Sequence, residues 1–259
     1  MPNGETAMDE RINIFVPVYF REDTVRRSVL SMLDTHLSVG YKVKIIFIDN
    51  KSNDSLREFI SEMGSRENME AILLDSNIGK AKAVQMASEK FKPFEWMISC
   101  DSDIMMLTPG WPGKLVDCYK KIPQAGMVSV AYEQQNNPMP PQANKMSLAM
   151  DNGDNYTFHY GAQVAGGCFV TRSDVWDKIG YKRNQGVYGG IDGLFRQTVA
   201  RCLKRKCGFI YEIRAQHLDD REEHADYHKW KLKVQSNIKK FSPEANAKIL
   251  GNVKGFWDK

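Results

Sequence analysis

Trp96-Met97-Ile98-Ser99-Cys100-Asp101-Ser102-Asp103 is the stretch on which the reading of this chain turns. Trp96–Ser99 is an apolar run of strand character, and two carboxylates one residue apart follow it directly. Ligands of open α/β sheets bind beyond the carboxyl ends of the strands, and an Asp-Xaa-Asp pair on such a loop can converge on a hard divalent cation. Alone, the pair reads equally well as a solvated turn. Its surroundings add weight. Ile12–Val16 reads as a first strand, stopped by Pro17 and followed by Val18 and Tyr19. Val43–Ile48 is an apolar, β-branched run of the kind buried on both faces of a sheet, followed by Asp49-Asn50-Lys51-Ser52-Asn53-Asp54. Ala71–Leu74 is a short third strand, followed by Asn77-Ile78-Gly79-Lys80-Ala81. Thr24–Leu37, Ser55–Met63 (with Asp54 as its cap) and Ile78–Phe91 carry apolar residues at helical spacing. Strands alternating with amphipathic helices predict βαβ units and a mostly parallel sheet, with four polar strand ends lining one crevice.

The second half has a different pattern. Met127–Ala131, Cys168–Thr171 and Gly208–Ile213 read as strands, and Ile191–Leu203 and the basic Ala225–Phe241 as helices. A long irregular stretch is expected between Ala131 and Cys168, including the polar, proline-rich Glu133–Gln142. Loops of that length in a compact domain are usually functional or disordered. No internal repeat or interdomain linker is evident.

Composition sets the outer bounds. The 259 residues are 42% apolar and 26% charged, with net charge +4, ordinary values for a soluble globular chain. No apolar run approaches the 18 or so residues needed to span a bilayer, and Met1–Arg11 lacks an apolar signal core. Cysteines at 100, 118, 168, 202 and 207 form no CxxC pair, so reduced thiols and a cytoplasmic location are expected. Lys229–Lys259 holds eight lysines against Glu244 and Asp258, a net +6 that leaves the first 228 residues at −2. Arg201, Lys204, Arg205 and Lys206 form a second basic cluster. Such surfaces attract anionic partners, and they equally serve as solubilising faces.

The ordered set of strand-Pro17-Val18-Tyr19, strand-Asp49-Asn50-x-Ser52-x-Asp54, Asn77-x-Gly79-Lys80-Ala81 and strand-Asp101-x-Asp103 resembles the nucleotide-sugar-binding half of family-2 glycosyltransferases with the GT-A fold. Gly166-Gly167-Cys168-Phe169-Val170-Thr171-Arg172, Val175-Trp176 and Ile179-Gly180 resemble that family's acceptor-side segment. The resemblance covers residues 11 to 220. It implies a Rossmann-like, mixed, mostly parallel sheet flanked by helices in one domain. The donor half would span about 11–110, the acceptor half 111–220, and 221–259 would pack on it as a basic helical extension.

The resemblance also implies roles. Asp103, with Asp101 nearer the ribose or in the metal shell, would ligate Mn2+ or Mg2+, and His217, after a late strand, would be a further ligand. Imidazole beside oxygen ligands favours Mn2+. Alternatively His217 is a hydrogen-bonded histidine after a strand; His159, His224 and His228 are expected at the surface or in loops. Asp49 would read the nucleobase, by accepting from uracil N3, or else cap its own loop. Lys80 would meet the diphosphate with backbone N–H groups at a helix start, or stand as a solvated first-turn lysine. Pro17, Val18, Tyr19, Asn77, Ser102 and Arg221 complete the donor set. Arg221 with Lys229, Trp230 and Lys231 would close as a lid, or form the polar face of a basic helix. Gly166, Gly167 and Gly190 fall on the acceptor side.

Asp192, in Tyr188-Gly189-Gly190-Ile191-Asp192, matches the family's catalytic base, although Ile191 replaces the usual acidic partner. A carboxylate there also suits a helix N-terminus. The Gln-x-x-Arg-Trp box of processive members is absent, which suggests transfer of a single sugar; the resemblance implies an inverting transfer from a UDP-sugar to a hydroxyl, with retention left open by the residues. An anionic acceptor (acidic glycan, lipid phosphate or nucleic acid, DNA included) suits the basic tail. Two other readings compete. One is a non-catalytic module that binds a nucleotide sugar or nucleic acid. The other is a nucleotidyltransferase, disfavoured because no glycine-rich phosphate loop follows the first strand.

Overall fold

The computed structural model describes residues 10–133, 144–161, 166–181, 191–218, 222, 224–226 and 229. The proline-rich stretch at 134–142, Gly190, Arg221, Trp230, Lys231, His228 and nearly all of the basic 221–259 extension lie outside these residues. In chain order the elements are β1 (Glu10–Val18), α1 (Glu22–Thr35), β2 (Tyr41–Asp49), α2 (Asp54–Gly64), β3 (Met69–Leu73), α3 (Lys80–Lys90), β4 (Trp96–Cys100), β5 (Ile104–Met106), α4 (Trp111–Lys121), β6 (Ala125–Tyr132), β7 (Asn144–Ala149), β8 (Asn155–Tyr160), β9 (Cys168–Arg172), α5 (Ser173–Lys178), α6 (Ile191–Cys202) and β10 (Lys206–His217).

All ten strands share one sheet, ordered β3-β2-β1-β4-β9-β6-β10-β8-β7, with β5 paired to β10. The half from β3 to β4 is wholly parallel. β9 is antiparallel to both β4 and β6, β10 is parallel to β6, and β5, β8 and β7 join antiparallel. The parallel strands are apolar on both sides because both faces are covered. Ile12, Ile14, Val16 and Val18 of β1 pack with apolar residues of α1, α2 and α4. Phe15 faces the other way, among residues of α3, α5 and α6. The expected mixed, mostly parallel sheet flanked by helices is the architecture found.

Several local expectations are corrected. Pro17 does not stop the first strand: β1 runs on to Val18, with Pro17 opposite Ile48 and Val18 opposite Asp49. Asn50 N donates to Val18 O (2.8 Å), so by alternation Pro17 faces the β4 side. There the ladder has already ended at Phe15 and Ser99, so the missing N–H leaves no bond unmade. The cap of α2 is Asn53, whose side chain accepts from Leu56 N (3.2 Å); Asp54 is inside the helix. The irregular stretch after Ala131 contains the β7–β8 hairpin, and β5, α4 and α5 are further elements whose short runs gave no clear period. His159 is not a loop residue. It lies in β8, 9% exposed, with its ring stacked 4.9 Å from that of Phe209; burial, followed by the charge of Lys145, lowers its pKa. Among the described residues, no helix is long and apolar enough to cross a membrane.

The cap assignment can be tested. Asn53→Ala should lower unfolding stability by about 1 kcal/mol in urea denaturation, and Asp54→Ala by less than half as much.

Candidate active site

The parallel register gathers the carboxyl ends of β1, β2, β3 and β4 along one edge, and hydrogen bonds lace their loops together. Leu74 N donates to Asp49 O (2.9 Å), Ile78 N to Asn50 Oδ1 (3.2 Å) and Phe20 N to Ser52 Oγ (3.1 Å). Because β9 is antiparallel to β4, the residues before its first strand position reach this edge too. Cys168 lies opposite Cys100, and Asp101 N donates to Gly167 O (2.6 Å). The Asp101–Asp103 turn is thereby held against Gly166 and Gly167.

The turn's carboxylates are met by two largely buried cations. Arg21 Nη1 is 3.0 Å from Asp103 Oδ2, with both side chains almost fully covered. Lys80 Nζ is 2.6 Å from Asp101 Oδ1 and 2.8 Å from Asp192 Oδ2. Lys80 thus joins the Asp-x-Asp loop to the start of α6 across the crevice, which neither reading of it as a diphosphate contact nor as a solvated lysine anticipates. The Tyr181 hydroxyl donates to the other oxygen of Asp192, and Gly166 packs against that side chain: a methyl at Gly166 would lie 2.0 Å from Asp192 Cβ. The charges respond to one another. Burial works against the Lys80 ammonium, but Asp101 and Asp192 hold its pKa well above the usual value. Burial pushes the Asp101 carboxyl up to about 6; Lys80 opposes this, and Asp192 and Asp103 add to it. Burial and then Asp192 raise the Tyr181 phenol.

His217 enters through the far end of the sheet. Its β10 position pairs with Ile104 of β5, and Leu218 N donates to Asp103 O (2.8 Å). His217 Nε2 therefore lies 3.7 Å from Asp103 Oδ2, a separation compatible with two ligands of one cation. Among the described residues no three His, Cys, Asp or Glu side chains form a ready cation cluster. The expected trio of Asp101, Asp103 and His217 is thus not assembled, because Asp101 is turned to Lys80. Asp103 and His217 are a carboxylate–imidazole pair of the kind that can hold a divalent ion when further ligands complete the shell.

The other predicted donor residues have their own local environments. The Asp49 side chain is fully covered: it accepts from Lys51 N (3.2 Å) and Ser52 N (3.1 Å) and pairs with Arg57 Nη1 (2.7 Å). This is the loop-capping alternative, reinforced by an arginine. Asn77 Oδ1 accepts from Gly79 N within its own turn (2.9 Å). Pro17 and Val18 are buried strand residues, and Ser102 is 4% exposed. Tyr19 is partly exposed at the crevice edge, its ring edge-on to Phe20 at 4.6 Å.

Three site residues escaped the sequence reading. Arg21 is delivered by a turn in which Phe20 and Arg21 both have positive φ, 51° and 56°. Non-glycine residues there cost about 1–3 kcal/mol each, and no glycine marks the position. Tyr181 follows the recognisable Ile179-Gly180, and its N–H is fixed by Gln85 Oε1 (2.9 Å). Tyr132 ends β6 under Gly167, where a methyl would come within 2.7 Å of its hydroxyl. That hydroxyl is buried with no hydrogen-bond partner among the described residues.

Parallel strand ends carrying an Asp-x-Asp turn, with a further carboxylate facing it, are the arrangement of the GT-A fold. The comparisons agree. The model of the family "Glycosyl transferase family 2" matches residues 13–180, well over half of the chain, and the chain belongs to that family. No curated protein matches. Among solved structures, the chain is similar to GalNAc-T7 crystallised with UDP, GalNAc and Mn2+ (TM-score 0.57, 16% identity, 81% of this chain and 43% of that one). It is also similar to the mannosyltransferase PcManGT from Pyrobaculum calidifontis in complex with GDP-Man and Mn2+ (TM-score 0.61, 13% identity, 85% and 60%). TarS of S. aureus is a third (TM-score 0.58, 14% identity, 94% and 42%). At such identities the likeness is one of fold, and the chain spans about half the length of these proteins.

Two glycines of the site separate packing from propensity. Gly166→Ala, forced against Asp192, should destabilise the protein by about 1–3 kcal/mol. Gly193→Ala in α6, where nothing lies within 4 Å of the added methyl, should stabilise it by up to about 1 kcal/mol. Urea midpoints of the two variants check both signs.

Proposed function

We propose that this protein is a metal-dependent glycosyltransferase that moves one sugar from a nucleoside-diphosphate sugar, read here as a UDP-sugar, to a hydroxyl acceptor with inversion. The observation that carries the reading is the convergence of Asp103 and His217 on one side of the crevice with Asp192 on the other. Two fold neighbours, one crystallised with UDP, GalNAc and Mn2+ and one in complex with GDP-Man and Mn2+, support the donor class and the metal.

In this reading the acceptor oxygen attacks the anomeric carbon while the bond from that carbon to the diphosphate oxygen breaks. The diphosphate leaves with the electron pair, and the acceptor proton passes to the Asp192 carboxylate. Asp103 and His217 would hold Mn2+ or Mg2+, which supplies Lewis-acid neutralisation of the leaving diphosphate. Arg21 orients the Asp103 carboxylate. Tyr19, partly exposed at the crevice edge, is a candidate for donor contact. Ile191, where the family's acidic partner would stand, is a core residue (5% exposed) packed in the α6 face, so Asp192 serves without an acidic residue preceding it in the chain. The basic Lys229–Lys259 charge favours an anionic acceptor. Of the second basic cluster, Arg205 is partly engaged, donating to Ala125 O (3.1 Å) and lying 3.7 Å from Asp174.

The test is release of nucleoside diphosphate from UDP- and GDP-sugars with Mn2+. Asp103→Asn should abolish release with the fold retained. Asp192→Asn should keep nucleotide binding while turnover falls about 10²–10⁴-fold. Undiminished turnover in Asp103→Asn would reject the metal role, and in Asp192→Asn the base role. A wild-type protein that binds these donors and releases nothing would favour a binding module.

A further inference from the structure

The least expected contact in the crevice is the one that Lys80 makes with two carboxylates at once. One belongs to the donor loop (Asp101, 2.6 Å) and the other to the acceptor-side helix (Asp192, 2.8 Å). Lys80 and Asp192 are largely shielded from solvent, at 16% and 17% exposure, and Asp101 is partly exposed at 30%. Asp192 is held on every side that the structure describes: Tyr181 donates to Oδ1, Lys80 to Oδ2, and Gly166 closes on its Cβ. Tyr181 is itself anchored, through its N–H to Gln85 and its hydroxyl near Ser99 Oγ (3.4 Å). Lys80 sits on the first turn of α3, which packs against β1 and β2, so its position is set by the donor half of the sheet.

Resting on the reading of Asp192 as the base, we propose that Lys80 is a positioning residue that aims Asp192 and ties it to the donor loop, rather than a ligand of the diphosphate. Without the ammonium, Asp101 and Asp192 face each other as like charges in a poorly solvated space, where their repulsion is strong. Asp192 would then turn away on its remaining Tyr181 contact. Small errors in the placement of a reacting group cost orders of magnitude in rate, and they leave the binding of the other substrate largely intact. The lysine's effect therefore belongs in turnover.

The experiment uses the full chain with Mn2+ and four donors: UDP-glucose, UDP-N-acetylglucosamine, UDP-N-acetylgalactosamine and GDP-mannose. Nucleoside diphosphate release gives kcat, and calorimetric titration with the matching UDP or GDP gives Kd. Lys80→Met should lower kcat at least 30-fold with Kd changed less than threefold, and Lys80→Arg should recover part of the loss. In an Asp192→Asn background, Lys80→Met should cost less than twofold, because residues acting through one group are not additive. Tyr181→Phe should show the same split between kcat and Kd, and it carries the test if Lys80→Met fails to fold. A tenfold weaker Kd with kcat kept would make Lys80 a diphosphate ligand and overturn the proposal. Equal losses in both backgrounds would overturn it as well. A wild-type chain that turns over none of the four donors would remove the glycosyltransferase reading itself, and with it this proposal. Additive losses in an active enzyme would remove the proposal alone.

Discussion

The antiparallel register between β4 and β9, with Cys100 opposite Cys168 and Asp101 N bonded to Gly167 O, is the constraint from which the site follows. Three parallel neighbours bring their carboxyl ends to one edge, but parallel strands alone would leave the Asp-x-Asp turn facing open solvent. One reversed strand places the start of an acceptor-side segment there. The two glycines are needed because the turn, the Tyr132 hydroxyl and Asp192 crowd the same place. The long β10 then completes the centre. Across a register irregularity between Ile210 and Arg214 it stays paired with β6, while its other edge passes from β8 to β5, which sets His217 beside Asp103.

The electrostatics of the crevice look unfavourable for stability. Removing Arg21, Lys80 and their carboxylate partners from water costs several kcal/mol per ion, and buried pairs often return no more than that. Two adjacent left-handed residues add strain at the Arg21 turn. A fold that needed only to be stable would use apolar side chains at these positions. Preorganised charges aimed at a place where charge develops are the usual source of catalytic stabilisation, which gives the arrangement its sense. The buried Tyr132 hydroxyl, which has no hydrogen-bond partner among the described residues, is consistent with a site shaped for a ligand.

Much of this could be read from the chain, and the failures have identifiable causes. The β-strands of the parallel half are continuous apolar runs because both faces are covered, so they declared themselves. The β7–β8 hairpin did not: Asn144–Ala149 is an edge strand with exposed polar residues, and its neighbour mixes polar and aromatic side chains. Asp101 and Asp103 drew attention by their place after a strand, and Asp192 and His217 by the family resemblance together with their positions at a helix start and after a strand. Their partners were not, since Arg21 and Tyr181 depend on backbone torsions and tertiary contacts that no local spacing encodes. Asp49 shows the converse: a carboxylate at a motif position accepts from the backbone of its own loop and pairs with Arg57, contacts that the motif does not announce.

The central claim is that Asp103 and His217 together form the cation site of a nucleotide-sugar crevice. An anomalous difference map from crystals of the full chain grown with Mn2+ and UDP tests it most directly. The account predicts a manganese peak within coordination distance of both the Asp103 carboxylate and His217 Nε2, with the UDP phosphates on its open side. Manganese bound away from both residues, or UDP bound in the crevice with no metal peak beside Asp103, would contradict it.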